Sequence, residues 1–232
     1  MPPWLSPAGV AAAAAIGAAV AAGAGWRGLA LLAVFFVTAS ALTRGGGRRT
    51  PAQVLANGGV AAAAALLARL DARFLLAFAG ALAAAAADTW STEIGVRSGA
   101  QPRLVTTGRP VPPGTSGGVT WLGTLGGCGG AALLALCAAL LGLATLPNAA
   151  WIAAGGVAGG LADSLLGATL QGRFRCARCG VVGEAARCAC GGVAAPASGL
   201  SWLTNDAVNV ACTLVGAAVG VAPVILRAAG LA

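Results

Sequence analysis

One run of about twenty apolar residues after another, parted only by short arginine-bearing segments, leaves this chain a single environment in which to fold. Seven such runs occur, at 6–24, 26–43, 52–70, 73–90, 119–145, 149–170 and 200–226. A helix rising about 1.5 Å per residue needs about 20 residues to cross ~30 Å of hydrocarbon, so each run is a candidate span. A soluble chain would need polar residues to clothe its surface, yet 58% of these 232 residues are hydrophobic and only 9% are charged. The predicted fold is all-α: a polytopic transmembrane bundle of about seven helices, one integral membrane domain over residues 1–232. No basic segment precedes the first run and no polar domain follows it, which favours a spanning helix over a signal peptide.

All 14 basic residues are arginine; lysine, histidine and tyrosine are absent. Without lysine the chain is neither a P-loop NTPase nor a Schiff-base enzyme. Without histidine it has no Ser-His-Asp triad and no histidine-ligated metal or haem. Chemistry is left to carboxylates, arginine, thiols, hydroxyls, side-chain amides and the backbone. The net charge of +8 calls for no nucleic-acid partner, because arginine in short loops is what membrane topology requires. Arg44, Arg48, Arg49, Arg97, Arg103, Arg109, Arg173, Arg175, Arg178 and Arg187 follow the second, fourth and sixth runs, against Arg27, Arg69, Arg73 and Arg227 on the other side. The positive-inside rule then places the three longer loops in the cytoplasm of a cell inner or plasma membrane, with the N-terminus inside. Gly155, Gly156, Gly159 and Gly160, and Gly216 and Gly220, follow small-xxx-small spacing and are expected to pack helices.

The chain has 6 acidic residues. Asp71, beside Arg69 and Arg73 in a turn, and Glu184, in a polar loop, need only solvated roles. Asp88 and Glu93 close the fourth run, Asp163 lies about two turns from the end of the sixth, and Asp206 opens the seventh, all toward the cytoplasmic side. Intramembrane carboxylates are costly unless paired or hydrated, so four at one depth form a candidate site. The plain alternative is ionic locking of helices, but the only arginine in their runs, Arg73, lies at the far end from Asp88. Ser164, Asn205 and Asn209 accompany them, and Asn57 points into the same layer. Carboxylates and amides are hard oxygen ligands suited to Mg²⁺ bound partly through substrate phosphates.

The segment from Arg103 to Thr120 is rich in proline and glycine and precedes a helix, an arrangement that makes an anion nest. Within it Gly114, Thr115, Ser116, Gly117 and Gly118 offer backbone N–H groups, and Arg103 and Arg109 are placed to clamp phosphate oxygens. Metal and cationic clamp around a polyphosphate is the logic of phosphoryl transfer. Between the sixth and seventh runs, residues 171–199 form a Cys-rich loop with Cys176, Cys179, Cys188 and Cys190 in two close pairs, each followed by glycine. Four thiolates suit a closed, structural zinc knuckle; a redox pair is the alternative.

Five ordered motifs carry a resemblance. They are Gln53-Val-Leu-Ala-Asn57-Gly-Gly, Asp88-Thr-Trp-Ser-Thr-Glu93-Ile-Gly, Val111-Pro-Pro-Gly-Thr-Ser-Gly-Gly-Val119, Asp163-Ser-Leu-Leu-Gly-Ala-Thr-Leu-Gln171 and Asn205-Asp-Ala-Val-Asn209. Over residues 43 to 226 the chain resembles the phytyl-phosphate kinase family, which includes transmembrane protein 19-like proteins. It is more distantly similar to dolichol kinases and CTP-dependent cytidylyltransferases. The resemblance implies phosphorylation of phytyl or a related isoprenoid monophosphate by a nucleoside triphosphate, CTP by analogy. Carried over by position, Asp88, Glu93, Asp163 and Asp206 would hold Mg²⁺ and the nucleotide phosphates. Asn57 and Asn209 would assist, and Gly114–Gly118 with Arg109 would bind phosphate; Gln171 closes the fourth motif. The expected partners are these two substrates and the bilayer, with association of a second copy left open. Two other readings stay open: a lipid cytidylyltransferase using the same substrates, and a cation- or proton-coupled transporter, which would explain the acids but not the nest.

Overall fold

The computed structural model describes residues 4–43, 47–228 and 230. Six helices carry the chain: α1 (Pro7–Leu42), α2 (Pro51–Leu67), α3 (Phe74–Arg97), α4 (Trp121–Leu140), α5 (Leu146–Thr169) and α6 (Asn205–Ala228). All but α2, at 17 residues, are long and apolar enough to cross a membrane. The 36-residue α1 is broken at Gly25, whose φ of 62° and ψ of −161° a side chain would resist. A straight helix would hold Trp4 and Phe36 roughly 45–50 Å apart. Their rings meet edge-on at 5.7 Å, so the halves 7–24 and 26–42 fold back as a hairpin. These halves and the five later helices are the seven expected rods.

α3 is the axis of the bundle and touches every other helix. Its residues from Leu76 to Ala87 are all buried, on every face, which suits a helix enclosed by protein. Alanine and glycine make that enclosure tight. A methyl on Gly155 of α5 would sit 2.7 Å from the Gly216 carbonyl of α6, and one on Gly159 would sit 2.6 Å from the Cys212 carbonyl. On α4, Gly123 and Gly127 approach the Ser91 and Ala87 carbonyls of α3 in the same way, at 2.6 and 2.9 Å. In lipid, helices associate through such backbone approach. Leu136, Leu140, Leu161, Leu165 and Leu214 stay exposed, as a lipid-facing surface requires.

The segments after the α1 hairpin, after α3 and after α5 gather at one end. Ser6 N–H donates to the Arg49 carbonyl at 3.1 Å, Arg97 donates to the Leu42 carbonyl, and Gly117 lies on Ala168 of α5. Gly25 and the turns after α2 and α4 lie at the other end, where Arg27 approaches Gly142. The arginine asymmetry thus coincides with the two ends; Arg44 lies outside the described residues. Two small sheets stand at the polar end: β1 (Arg103–Leu104) pairs antiparallel with β2 (Gly118–Val119), and β3 (Arg173–Cys176) lies between β4 (Val182–Gly183) and β5 (Ala194–Ser198). The Cys-rich loop is therefore a three-stranded ribbon.

The expected boundaries differ most at α3. It runs to Arg97, about two turns past the predicted end, because Gly95 keeps helical φ and the first left-handed glycine is Gly99, at φ 65°. Asp88 and Glu93 consequently lie inside a helix, and Arg97 stands within reach of Glu93.

Gly216→Ala is expected to lower the unfolding free energy in detergent by about 1–3 kcal/mol, because the methyl would sit 2.5 Å from the Gly80 carbonyl and from Ala84 Cβ. Gly59→Ala, with open space around it, should be neutral or stabilising.

Candidate active site

Gly160 is the last glycine of α5 before Asp163, and a methyl there would meet Ala87 Cβ and the Asp88 amide at 3.5 and 3.9 Å. That approach brings Asp163, one turn on, level with Asp88. Both side chains line the same cavity across the α3–α5 seam. Among the described residues Asp163 Oδ2 is buried with no hydrogen-bond partner. Two carboxylates meeting inside a helix bundle need a cation or a proton between them, and this orphaned oxygen gives the cation a ligand.

The pair lines a cavity of about 550 Å³ at the polar end. Glu93, Asn57, Ser164, Gln171, Asn205 and Asn209 share that lining. Asn57 Nδ2 donates to the Gln53 carbonyl at 3.0 Å, and Thr213, donating to the Asn209 and Ala56 carbonyls, ties α6 to α2 beneath it. Gln171 is only 3% exposed, yet among the described residues its Nε2 has no partner. A buried, unpaired donor facing a cavity is matched to an acceptor supplied by a ligand.

The loop joining β1 to β2 closes one wall with Gly114, Thr115, Ser116, Gly117 and Gly118. Gly114 and Gly117 have φ of 81° and 76°, and a side chain on Gly117 would enter the α5 backbone at Ala168. Among the described residues the Ser116 and Gly117 amides make no hydrogen bond, as a nest for an anion requires. Thr120 caps α4 by accepting from Gly123 N–H at 3.1 Å.

Three expected residues lie elsewhere. Arg103 and Arg109 do not line the cavity: Arg103 donates to the Gly108 carbonyl at 2.8 Å, and both are exposed. β1 ends before the loop turns inward, so both arginines stay on the outer part of the hairpin. Asp206, beside Asn205 and i,i+3 from Asn209, is also outside the lining. Glu93 remains in the cavity but pairs with Arg97 at 3.6 Å, the ionic lock that the shorter predicted span concealed.

Two charged residues in the cavity carry no site role in the sequence reading, which counts Arg49 among the loop arginines and leaves Glu184 solvated. Half-buried Arg49 supplies the cation, donating to Ser40 Oγ at 3.3 Å and Thr43 Oγ1 at 3.2 Å. Burial lowers its pKa, and the nearby Glu93 charge acts the other way. Its signal was the Arg-Thr-Pro start of α2, where Thr50 and Gln53 form a capping box that fixes the preceding residue. Glu184 comes from the Cys-rich ribbon, lines the cavity and accepts from Ser116 Oγ; its signal was being the only acid between the two cysteine pairs.

Beside this polar cavity lies an apolar groove of about 340 Å³ between the two halves of α1 and α2. Ile16, Leu29, Leu32, Phe35 and Phe36 form its walls. Arg49, Gln53, Asn57 and Thr89 line both spaces, so the groove and the cavity meet there.

Residues 3–217 match the family model described as Integral membrane protein DUF92. The chain belongs to this family. It is 36% identical over 228 residues to Protein PGR of Arabidopsis thaliana, covering 80% of this chain and 77% of that protein. It is 34% identical over 209 residues to an uncharacterized membrane protein of Methanocaldococcus jannaschii, covering 85% and 76%. With Protein VTE6, chloroplastic, of Arabidopsis thaliana it shares 29% identity over 238 residues, covering 94% of this chain and 64% of that protein. No solved structure matches. The family match bears out the resemblance carried by the five motifs.

Gln171→Leu should leave thermal stability in detergent unchanged or raised, since its Nε2 has no bond to lose, and weaken binding of inorganic pyrophosphate about tenfold by calorimetry. A clear loss of stability would show that the amide has a structural partner instead.

Proposed function

We propose that this protein is a membrane prenyl-phosphate kinase. It transfers a phosphoryl group from a nucleoside triphosphate, CTP by the resemblance above, to phytyl or a related isoprenoid monophosphate. The observation that carries this reading is the junction of the apolar groove with the carboxylate-lined cavity at Arg49, Gln53, Asn57 and Thr89. A substrate matched to it has a hydrocarbon tail and an anionic head. The volumes, about 340 and 550 Å³, fall within the range of ligand sites, and the larger is on the polar side, where two phosphate-bearing groups must meet. Distant kinship with Protein VTE6, chloroplastic, supports the same class.

On this reading the tail lies among Ile16, Leu32 and Phe36, and Arg49 holds the head at the groove's mouth. Gln171 Nε2, Asn209 and the Ser116–Gly117 amides bind the donor phosphates. The oxygen set of Asp88 and Asp163 fits Mg²⁺, which when bound would neutralise charge on the transferred phosphoryl group. A phosphate monoester is already nucleophilic at neutral pH, so the chain needs no strong general base. Its residues act by aligning acceptor and donor and by holding fixed dipoles toward the developing charge. The loop over the cavity limits water, the competing acceptor. We place the polar end in the cytoplasm, where nucleotide is found, in keeping with its arginine excess.

Purified protein given Mg²⁺, CTP or ATP, and phytyl or geranylgeranyl monophosphate should yield the lipid diphosphate and a nucleoside diphosphate by mass spectrometry. A nucleotide-linked lipid with released pyrophosphate would make it a cytidylyltransferase, and no product from folded protein would overturn the enzyme reading. Asp88→Asn and Asp163→Asn should each lower turnover by about a thousandfold without loss of folded protein.

A further inference from the structure

The ribbon between α5 and α6 has almost nothing to hold it together. From Ala177 to Val193 every residue is exposed except half-buried Cys188 and Gly192. A segment that buries so little cannot offset its ordering entropy by apolar contact, and small units of this kind are held by metals or disulfides. The four thiols are free, and their sulfur atoms lie within 4.8 Å of one another, with Cys176–Cys190 and Cys179–Cys188 at 3.5 Å and Cys179–Cys190 at 3.6 Å. Four sulfurs about 2.3 Å from a tetrahedral zinc ion are about 3.8 Å apart, which this cluster accommodates. Each pair ends in a tight turn, with Gly180 N–H on the Cys176 carbonyl and Gly191 N–H on the Cys188 carbonyl, both at 2.9 Å. Arg175 and Arg178, bonded to the Gly180 and Cys190 carbonyls, set positive charge beside what would be a doubly negative tetrathiolate.

The ribbon is also stitched to the cavity. Gln171, a cavity wall, is bridged to Leu200, and Leu200 N–H donates to the Leu170 carbonyl at 2.8 Å. Arg173, the first residue of β3, donates to the Ser116 carbonyl at 3.2 Å, while Glu184, just past β4, takes the Ser116 hydroxyl. Ser116 is thus gripped from both sides by the ribbon. Val182 and Gly183, which lead into Glu184, are held by pairing with β3.

We infer that the four cysteines hold a zinc ion whose binding fixes Glu184 in the cavity, where it positions the Ser116 loop and adds a third carboxylate for the divalent cation. The second half of this inference rests on the cavity being a site of cation and phosphate chemistry, and the experiment separates the two.

Full-length protein in detergent should contain one zinc per chain by mass spectrometry of the metal. Cys179→Ser, or chelation of zinc from folded wild type, should remove it. Glu184→Gln should retain the zinc yet weaken Mn²⁺ binding, read by electron paramagnetic resonance, about tenfold. Zinc removal should give the same weakening, reversed by adding zinc back. In both cases the amides of Ser116–Gly118 should exchange hydrogen faster. A protein that takes up no zinc overturns the metal assignment. Unchanged loop exchange and Mn²⁺ affinity in Glu184→Gln or zinc-free protein overturn the coupling. If wild type binds no Mn²⁺, the cation reading of the cavity fails, and loop exchange still decides whether zinc and Glu184 hold the loop.

Discussion

The close approach of α4, α5 and α6 to α3 is the constraint on which the rest depends. Water does not drive helices together inside a bilayer, so contact must come from surfaces that fit. Here the fit is backbone against backbone: Gly127 of α4, Gly159 of α5 and Gly216 of α6 leave room only for bare main chain. The same seam brings Asp88 and Asp163 to one cavity, a turn beyond Gly160. An acid pair at that place is costly, and a fold that retains it has a use for the ligand that relieves it. Packing and chemistry are consequences of one geometry.

The second consequence is an amphiphilic site. The α1 hairpin turns at Gly25 and lays its two halves against α2, leaving a groove walled by Ile16, Leu32 and Phe36. Arg49, anchored by Ser40 and Thr43, sits where that groove opens into the polar cavity. A lipid phosphate entering sideways from the membrane would keep its tail among apolar residues while its head met the acids. A soluble fold would have to extract the whole tail from the bilayer, costing about 0.8 kcal/mol for each methylene returned to water. Building the site from membrane helices avoids that cost.

Much of this was legible from the chain. The spans followed from length and apolar content, and even the break at Gly25 separated two predicted runs. The packing glycines, the Gly114–Gly118 segment and the cysteine pairs show in local spacing, and Asp88 and Asp163 stand out as acids at one depth. What sequence did not reveal depends on direction. Arg103 and Arg109 share a segment with the glycines that line the cavity, but the hairpin points them outward. Asp206 shares a motif with Asn205 and Asn209, yet only the two asparagines line the cavity. Arg49 and Glu184 reach the cavity through contacts with Ser40 and Ser116, 9 and 68 residues away, which no local pattern encodes.

The measurement that bears most directly on the junction of groove and cavity is photolabelling with phytyl monophosphate carrying a diazirine at the far end of its tail. Bound in membranes and then irradiated, it should mark peptides of the α1 hairpin containing Ile16, Leu32 or Phe36, and unlabelled phytyl monophosphate should compete the mark away. Labelling spread over the lipid-facing leucines of α4 and α5, such as Leu136 and Leu165, and indifferent to competitor would contradict the account.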